Sequence, residues 1–320
     1  MLWLADLPTD IVLAIIEHAA SDFVDSHRSW VVQLALISHA TCAIIRPILY
    51  STLVLTGSNE DYFNDNVPTI NRILPLVRSF HVINYDSEYG DNIADTANEI
   101  LNLWTPKASH LSAGWPLLKD FCRRLDEQGI GANALTSISI SYEKLAIAIV
   151  AQGLPASISD SLTHIDGYIP AIWSTGQEVS PKIWTQAVLD ALPNLTHFGL
   201  RLVGFDMRRA LRRDTSPTPQ IVKDIRTVVA TALHYRPSMQ LIVLLVGGDY
   251  LVVRDSLERE LAEFQSTGRL RIVYDHRLLS WENETMVELD DAWARRTIWN
   301  APSEIPYLPG TGGMAESDLE

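Results

Sequence analysis

The chain is poor in cysteine. Of its 320 residues only Cys42 and Cys122 carry thiols, too few for a disulfide framework or a structural zinc site. Both lie among apolar neighbours and read as core fillers in a reducing compartment, cytoplasmic or nuclear. Long apolar runs are missing too. The richest, MQLIVLLV at 239–246, falls far short of the roughly 18 residues that cross a bilayer, and its length suits a strand. No basic segment precedes the first apolar run, and Asp6 and Asp10 interrupt it, a poor match to a signal peptide. Positive charge is scarce. Lys and Arg number 25 against 39 Asp and Glu, a formal net charge of −14. That balance repels phosphate backbones, so neither nucleic acid nor a membrane is an expected partner. The dense basic cluster MRRALRR at 207–213 reads as a solvated face.

Familiar catalytic motifs are absent as well. There is no G-x-S-x-G elbow, no P-loop, no G-x-G-x-x-G after a strand and no H-E-x-x-H. The acidic stretch DSEYGDNIAD at 86–95 fails as a calcium loop, with Asp91 where a glycine is needed and Ala97 where a glutamate is needed. Glu17, His18 and Asp22 share a helical spacing but read as surface charges. YDHR at 274–277 reads as a strand terminus. The expectation is a chain without catalytic residues, cofactor or metal. An α/β enzyme whose groups converge only in space stays open as an alternative.

What is present is a core-forming composition, 47% hydrophobic and 20% charged. Residues 7–20 predict a first helix, with Pro8 tolerated in its first turn. From Ile11 to Ile16 every side chain is apolar, more than the single stripe a helix needs to pack on its own protein. SDFVDSHRS at 21–29 reads as a polar loop, WVVQLALIS at 30–38 as a second helix, and ATCAIIRPILY at 40–50 as a third, disturbed near Pro47. STLVLTG at 51–57 then alternates like a strand.

Beyond this unit, leucine-led phrases recur. LPLVRSFHV at 74–82 and LPNLTHFGL at 192–200 share five positions, and LTSISIS at 135–141 and LTHIDGYI at 162–169 are weaker copies. MQLIVLLV and GRLRIVYD, from Gly268, are strands without the lead-in. Helices are predicted between them: from Pro181 with Ser180 as N-cap, from Gln220 on the spacing of Ile221, Ile225, Val228, Val229 and Leu233, and from Asp255 to a stop at Gly268. Strand-plus-helix units of this length follow the leucine-rich-repeat pattern, though any α/β layer protein also alternates the two. A last helix is expected at 282–299.

The fold class expected is therefore α/β, with an α+β character at the N-terminus. The domains are a three-helix unit at 1–50, a degenerate leucine-rich-repeat-like strand/helix solenoid at 51–300, and a largely disordered acidic tail at 301–320. Strand alternation sends Phe80, Val82, Ile138, Ile140, Phe198, Leu200, Leu202, Leu270, Ile272 and Tyr274 inward. His81, Ser139, Arg201 and Arg271 then share the opposite face and are the candidate substrate-binding residues. Two arginines there on an acidic protein suggest an acidic or phosphorylated ligand, unless they pair with acids such as Asp206 or Asp275.

The N-terminal phrase LPTDIVLAIIEHAA, with LALISHATCAIIRPILYSTLVL after it, resembles an F-box, in particular the fungal-type F-box-like proteins. The likeness lies in Leu7-Pro8 before an aliphatic helix, in Leu36, Ile37 and Ser38, and in Leu49-Tyr50 leading into a strand. It departs from the family in the longer 21–29 loop and in Thr41, where an aromatic is usual. The resemblance implies a non-catalytic substrate-recognition subunit of an SCF-type (Skp–cullin–F-box) ubiquitin ligase. The Skp adaptor, and through it the cullin–RING ligase, would dock on Leu7, Pro8, Ile11, Ile15, Leu36, Ile37, Ile45 and Leu49. The repeat domain would hold a protein substrate. A repeat-domain scaffold without a ligase link is the alternative.

Overall fold

The computed structural model describes residues 7–24, 27–56, 59–83, 96–97, 99–101, 109–127, 129, 135–140, 153–168, 180–202, 218–275, 299 and 303–305. The acidic stretch at 86–95, the basic cluster at 207–213, Asp206, the body of the helix expected at 282–299 and nearly all of the 301–320 tail lie outside them. Among the described residues no helix is long and apolar enough to cross a membrane.

Three helices open the fold: α1 (Thr9–Phe23), α2 (Arg28–Ala35) and α3 (His39–Leu49). They close on a small core of their own, built on Ala20, Val31, Ile45 and Leu49. The polar loop expected at 21–29 is shorter than the sequence suggests, because α1 runs on to Phe23 and α2 begins at Arg28. Phe23 links the two helices by packing edge-on against both His27 and Trp30, with ring centroids 5.6 Å apart in each case. Arg28 Nη2 donates to the Leu49 carbonyl at 2.7 Å, tying α2 to the end of α3. Pro47 does not end α3. It sits in the last turn, where it removes one i→i−4 bond and the helix ends two residues later at Leu49.

The rest is a mixed α/β layer. Strands β1 (Thr52–Thr56), β2 (Ser79–Ile83), β3 (His110–Ala113), β4 (Ser137–Ile140), β5 (His164–Tyr168), β6 (His197–Leu202), β7 (Leu241–Gly247), β8 (Leu270–Asp275) and β9 (Glu304–Ile305) form one sheet. Neighbours in the sheet are neighbours in sequence, and every pair is parallel. A doubly wound sheet reverses its order part-way and lays helices on both faces. This one never reverses.

Among the described residues the helices accordingly pack on one face. They are α4 (Glu60–Asp65), α5 (Val67–Ile73), α6 (Trp115–Glu127), α7 (Ala156–Ser159), α8 (Pro181–Ala191), α9 (Gln220–Tyr235) and α10 (Arg254–Gln265). Ser180 caps α8 through Ile183 N–H, with Pro181 at the first position. Gly268, at φ +72°, turns the chain from α10 into β8. Helix and strand side chains share one continuous core, from Leu53 through Phe80, Ile138, Phe198 and Ile242 to Tyr274. Cys122 is buried there, and burial pushes its thiol up to about 12. Cys42 is not a core residue. It is exposed on α3, whose inward row is Thr41, Ile45 and Leu49.

One polar device repeats along the sheet. The hydroxyls of Thr136, Thr163 and Thr196 each donate at 3.2 Å to the carbonyl of the equivalent residue one unit back, Ser109, Thr136 and Thr163. The same carbonyls also accept two backbone N–H groups each from the next strand. The rungs are 27, 27 and 33 residues apart. The leucine before each threonine, Leu135, Leu162 and Leu195, is buried in the core.

Candidate functional site

Strand alternation decides what the opposite face, free of helices among the described residues, carries. One row across it reads Thr52, Ser79, His110, Ser137, His164, His197 and Leu241. The next reads Val54, His81, Ser112, Ser139, Asp166, Gly199, Val243 and Arg271. Arg201 stands one row on, between Tyr168 and Leu245. A polar row therefore runs from β2 to β6 and gives way to the apolar patch Val243, Leu245 and Val273.

His81, Ser139, Arg201 and Arg271 share this face but are spread over β2, β4, β6 and β8, and of them Arg201 and Ser139 are hydrogen-bonded. They are not an open surface. His81 and Ser139 are only 4% and 3% exposed. Arg201 is engaged by its neighbour on β5: its Nε lies 2.8 Å and its Nη2 2.5 Å from Asp166 Oδ2, and Nη2 donates to Ser139 Oγ at 2.7 Å. Ser139 Oγ in turn donates to the same carboxylate oxygen at 3.2 Å. Arg271 donates through Nη2 to the Trp299 carbonyl. The acid that meets Arg201 is thus Asp166.

The histidines form two pairs. His81 and His110 lie with ring centroids 5.0 Å apart. His164 stacks on His197 at 3.9 Å, nearly parallel at 11°. His110 Nδ1 meets Ser137 Oγ at 2.7 Å, while Thr163 and Thr196 bring their hydroxyls to Nδ1 of His164 and His197 at 2.8 and 2.9 Å. His81 Nδ1 is buried with no hydrogen-bond partner among the described residues. Burial holds His110 and His164 down to about 4; at His110 the Asp166 carboxylate partly offsets this and Arg201 adds to it, while at His164 the neighbouring His197 and His110 add to it. His81 is lowered by burial and then by His110 and Arg201. His81, His110 and His164 are therefore neutral imidazoles at physiological pH.

The chemistry this offers is stacking and hydrogen bonding. The Ser137–His110 contact is not triad-like, because Nδ1 meets the hydroxyl and no described carboxylate bonds the other ring nitrogen. Among the described residues no three His, Cys, Asp or Glu side chains are placed to hold a metal ion.

The adaptor-docking candidates divide. Pro8, Ile11, Ile15, Leu36 and Ile37 are exposed and Leu7 is half-buried. Ile45 and Leu49 are turned into the three-helix core and face no partner, since they fall on the inward row of α3. Thr41, which replaces the usual aromatic, is buried and caps α3. Its Oγ1 accepts from Ser38 N–H at 2.9 Å, while Ser38 Oγ accepts from Thr41 N–H at 3.1 Å. His18 pairs with Asp22 on the surface of α1 at 3.6 Å.

Reading the sequence missed His110, His164, Asp166, His197, Gly199 and Trp299. A signal existed for two of them. Thr-His occurs at the same place in LTHIDGYI and in LPNLTHFGL, and a repeated polar pair at an alternating position marks a shared row. No family model matches this chain, and neither the curated proteins nor the solved structures yield a match.

Proposed function

We propose that this chain is the non-catalytic substrate-recognition subunit of an SCF-type ubiquitin ligase, acting in the cytoplasm or nucleus. Residues 1–50 serve as the F-box that docks the Skp adaptor. Residues 51–300 form an irregular leucine-rich-repeat-like solenoid whose helix-free face holds a protein substrate. The observation that carries the reading is where apolar surface is left uncovered. Eight of the thirteen exposed large hydrophobic residues among the described residues fall within the first fifty. Ile11 and Ile15, one helical turn apart, are 45% and 48% exposed, and Leu36 and Ile37 are 80% and 65% exposed. Scattered exposed apolar residues need no explanation, but a concentration of them on one small unit marks a surface that a partner covers. The unreversed parallel sheet with its repeating rungs supports the second half of the reading, since stacked repeats commonly bind along their extended face.

The test is co-expression of the full chain with the Skp adaptor and a pull-down. Wild type is expected to retain the adaptor. Ile11→Asp would bury an unpaired charge against the partner at a cost of several kcal/mol. It should lose the adaptor while circular dichroism stays unchanged. A wild-type chain that ignores the adaptor overturns the proposal.

A further inference from the structure

We infer that the helix-free face binds an extended peptide through an aromatic side chain, and that the chain's own segment around Trp299 fills this site in cis. The inference rests on reading that face as the substrate side.

Trp299 reaches back over the sheet from a point far along the chain. Its ring lies edge-on to both stacked histidines, 5.2 Å from His164 and 5.6 Å from His197. On its other side it packs against Val243, Leu245 and Val273. The floor is Gly199. A Cβ built there would come within 3.1 Å of Trp299 Cη2 and 2.4 Å of Asp166 Cβ, so only glycine leaves room for both the indole and the Asp166–Arg201 pair. The backbone is held as well. Arg271 donates to the Trp299 carbonyl, Tyr274 N–H donates to the Ser303 carbonyl at 2.9 Å, and Glu304–Ile305 pairs in parallel with β8.

These are the parts of a peptide site: an aromatic cradle with imidazole and aliphatic walls, a cation aimed at a main-chain carbonyl, and a strand edge for β-augmentation. Each part is met by main chain or by one indole. An incoming extended segment with a correctly placed tryptophan would satisfy them equally. The partner that fits is therefore an exposed, extended, aromatic-bearing stretch of protein, and it must displace the resident segment. A site closed in cis nine-tenths of the time weakens apparent affinity roughly tenfold.

The experiment uses the full chain and a fluorescein-labelled peptide of residues 296–307, RTIWNAPSEIPY, followed by fluorescence polarisation. Trp299→Ala should bind this peptide at least about tenfold more tightly than wild type does. Trp299→Phe, which keeps a ring in the cradle, should stay close to wild type. A peptide with alanine in place of its tryptophan should lose binding to the Trp299→Ala chain. Equal binding by Trp299→Ala and wild type, or no binding by either, overturns the inference. If Trp299→Ala does not fold, wild type with excess peptide decides the matter. Amide exchange across 299–305 should then rise, and unchanged exchange overturns the cis contact. A wild-type dimer that Trp299→Ala dissolves would mean the segment is swapped between copies, which also overturns it. Adaptor pull-down is scored separately: its failure counts against the ligase reading and leaves the peptide result standing.

Discussion

Replacing Arg201 with methionine removes the counter-ion of Asp166 and little volume. The Asp166 side chain is 3% exposed and that of Arg201 12%, so water cannot step in without rearrangement. Two guanidinium contacts to one carboxylate oxygen disappear, at 2.8 and 2.5 Å, and the Ser139 hydroxyl is left as its donor. Breaking one side of a buried pair typically costs about 3–5 kcal/mol. A domain of this size is stable by about 5–15 kcal/mol, so the variant should fold but sit near its limit. Asp166→Asn in the same chain removes the stranded charge and keeps a side chain that Ser139 can reach. The double variant should recover about half of the loss or more. Urea denaturation of wild type, both singles and the double gives the coupling energy, provided the m-value is constant. A loss below about 1 kcal/mol for Arg201→Met, or a double variant no better than the sum of the singles, would refute the claim that this pair is a buried structural element. It follows that substrate loss on changing Arg201 reads stability before it reads recognition.

The histidine row predicts acid sensitivity. In the unfolded chain histidines titrate near 6.5, whereas native His110 and His164 are held down to about 4. Between those values the unfolded state binds more protons, so stability is level above about pH 6.5, falls as pH drops, and stops falling from these groups near pH 4. His110 alone removes on the order of 3 kcal/mol across that window; denaturant midpoints at pH 7.5 and 5 check the slope, which His110→Gln should flatten. Thr163→Val deletes one rung of the hydroxyl ladder and the contact to His164 Nδ1, and should cost about 1 kcal/mol in a thermal or urea melt. Cys42 is exposed and Cys122 buried with its thiol pushed up to about 12, so one thiol should react with maleimide in the native state and the second only in denaturant.

The strands led by leucine were legible because their pattern states two facts at once. In LTSISIS, Leu135 anchors the turn and Ile138 and Ile140 alternate into the core. β3 was not legible: it has four residues and no leucine lead-in. The face of each polar residue could be read, but not its partner. Asp166 and Arg201 are 35 residues apart, and only strand register brings them together. Thr41 stands where the resembled family has an aromatic, and here it completes the capping box of Ser38. The 21–29 stretch looked like a polar loop, yet α1 runs on to Phe23 and α2 begins at Arg28, with Phe23 packed on both His27 and Trp30. Trp299 carries no local signal, since its cradle is assembled from four strands.

The uneven rungs have a consequence for how such a chain can change. The carbonyl that accepts each rung is fixed by the strand before it, yet the segment between rungs is 27 residues in two cases and 33 in another. Register and loop length are therefore independent variables. Residues added between rungs leave the strand register, and with it the spacing of the opposite face, untouched. The recognition surface behaves as a fixed-pitch ruler whose backing can be lengthened or trimmed, so insertions that would shift a hairpin out of alignment should here be silent on the face that binds.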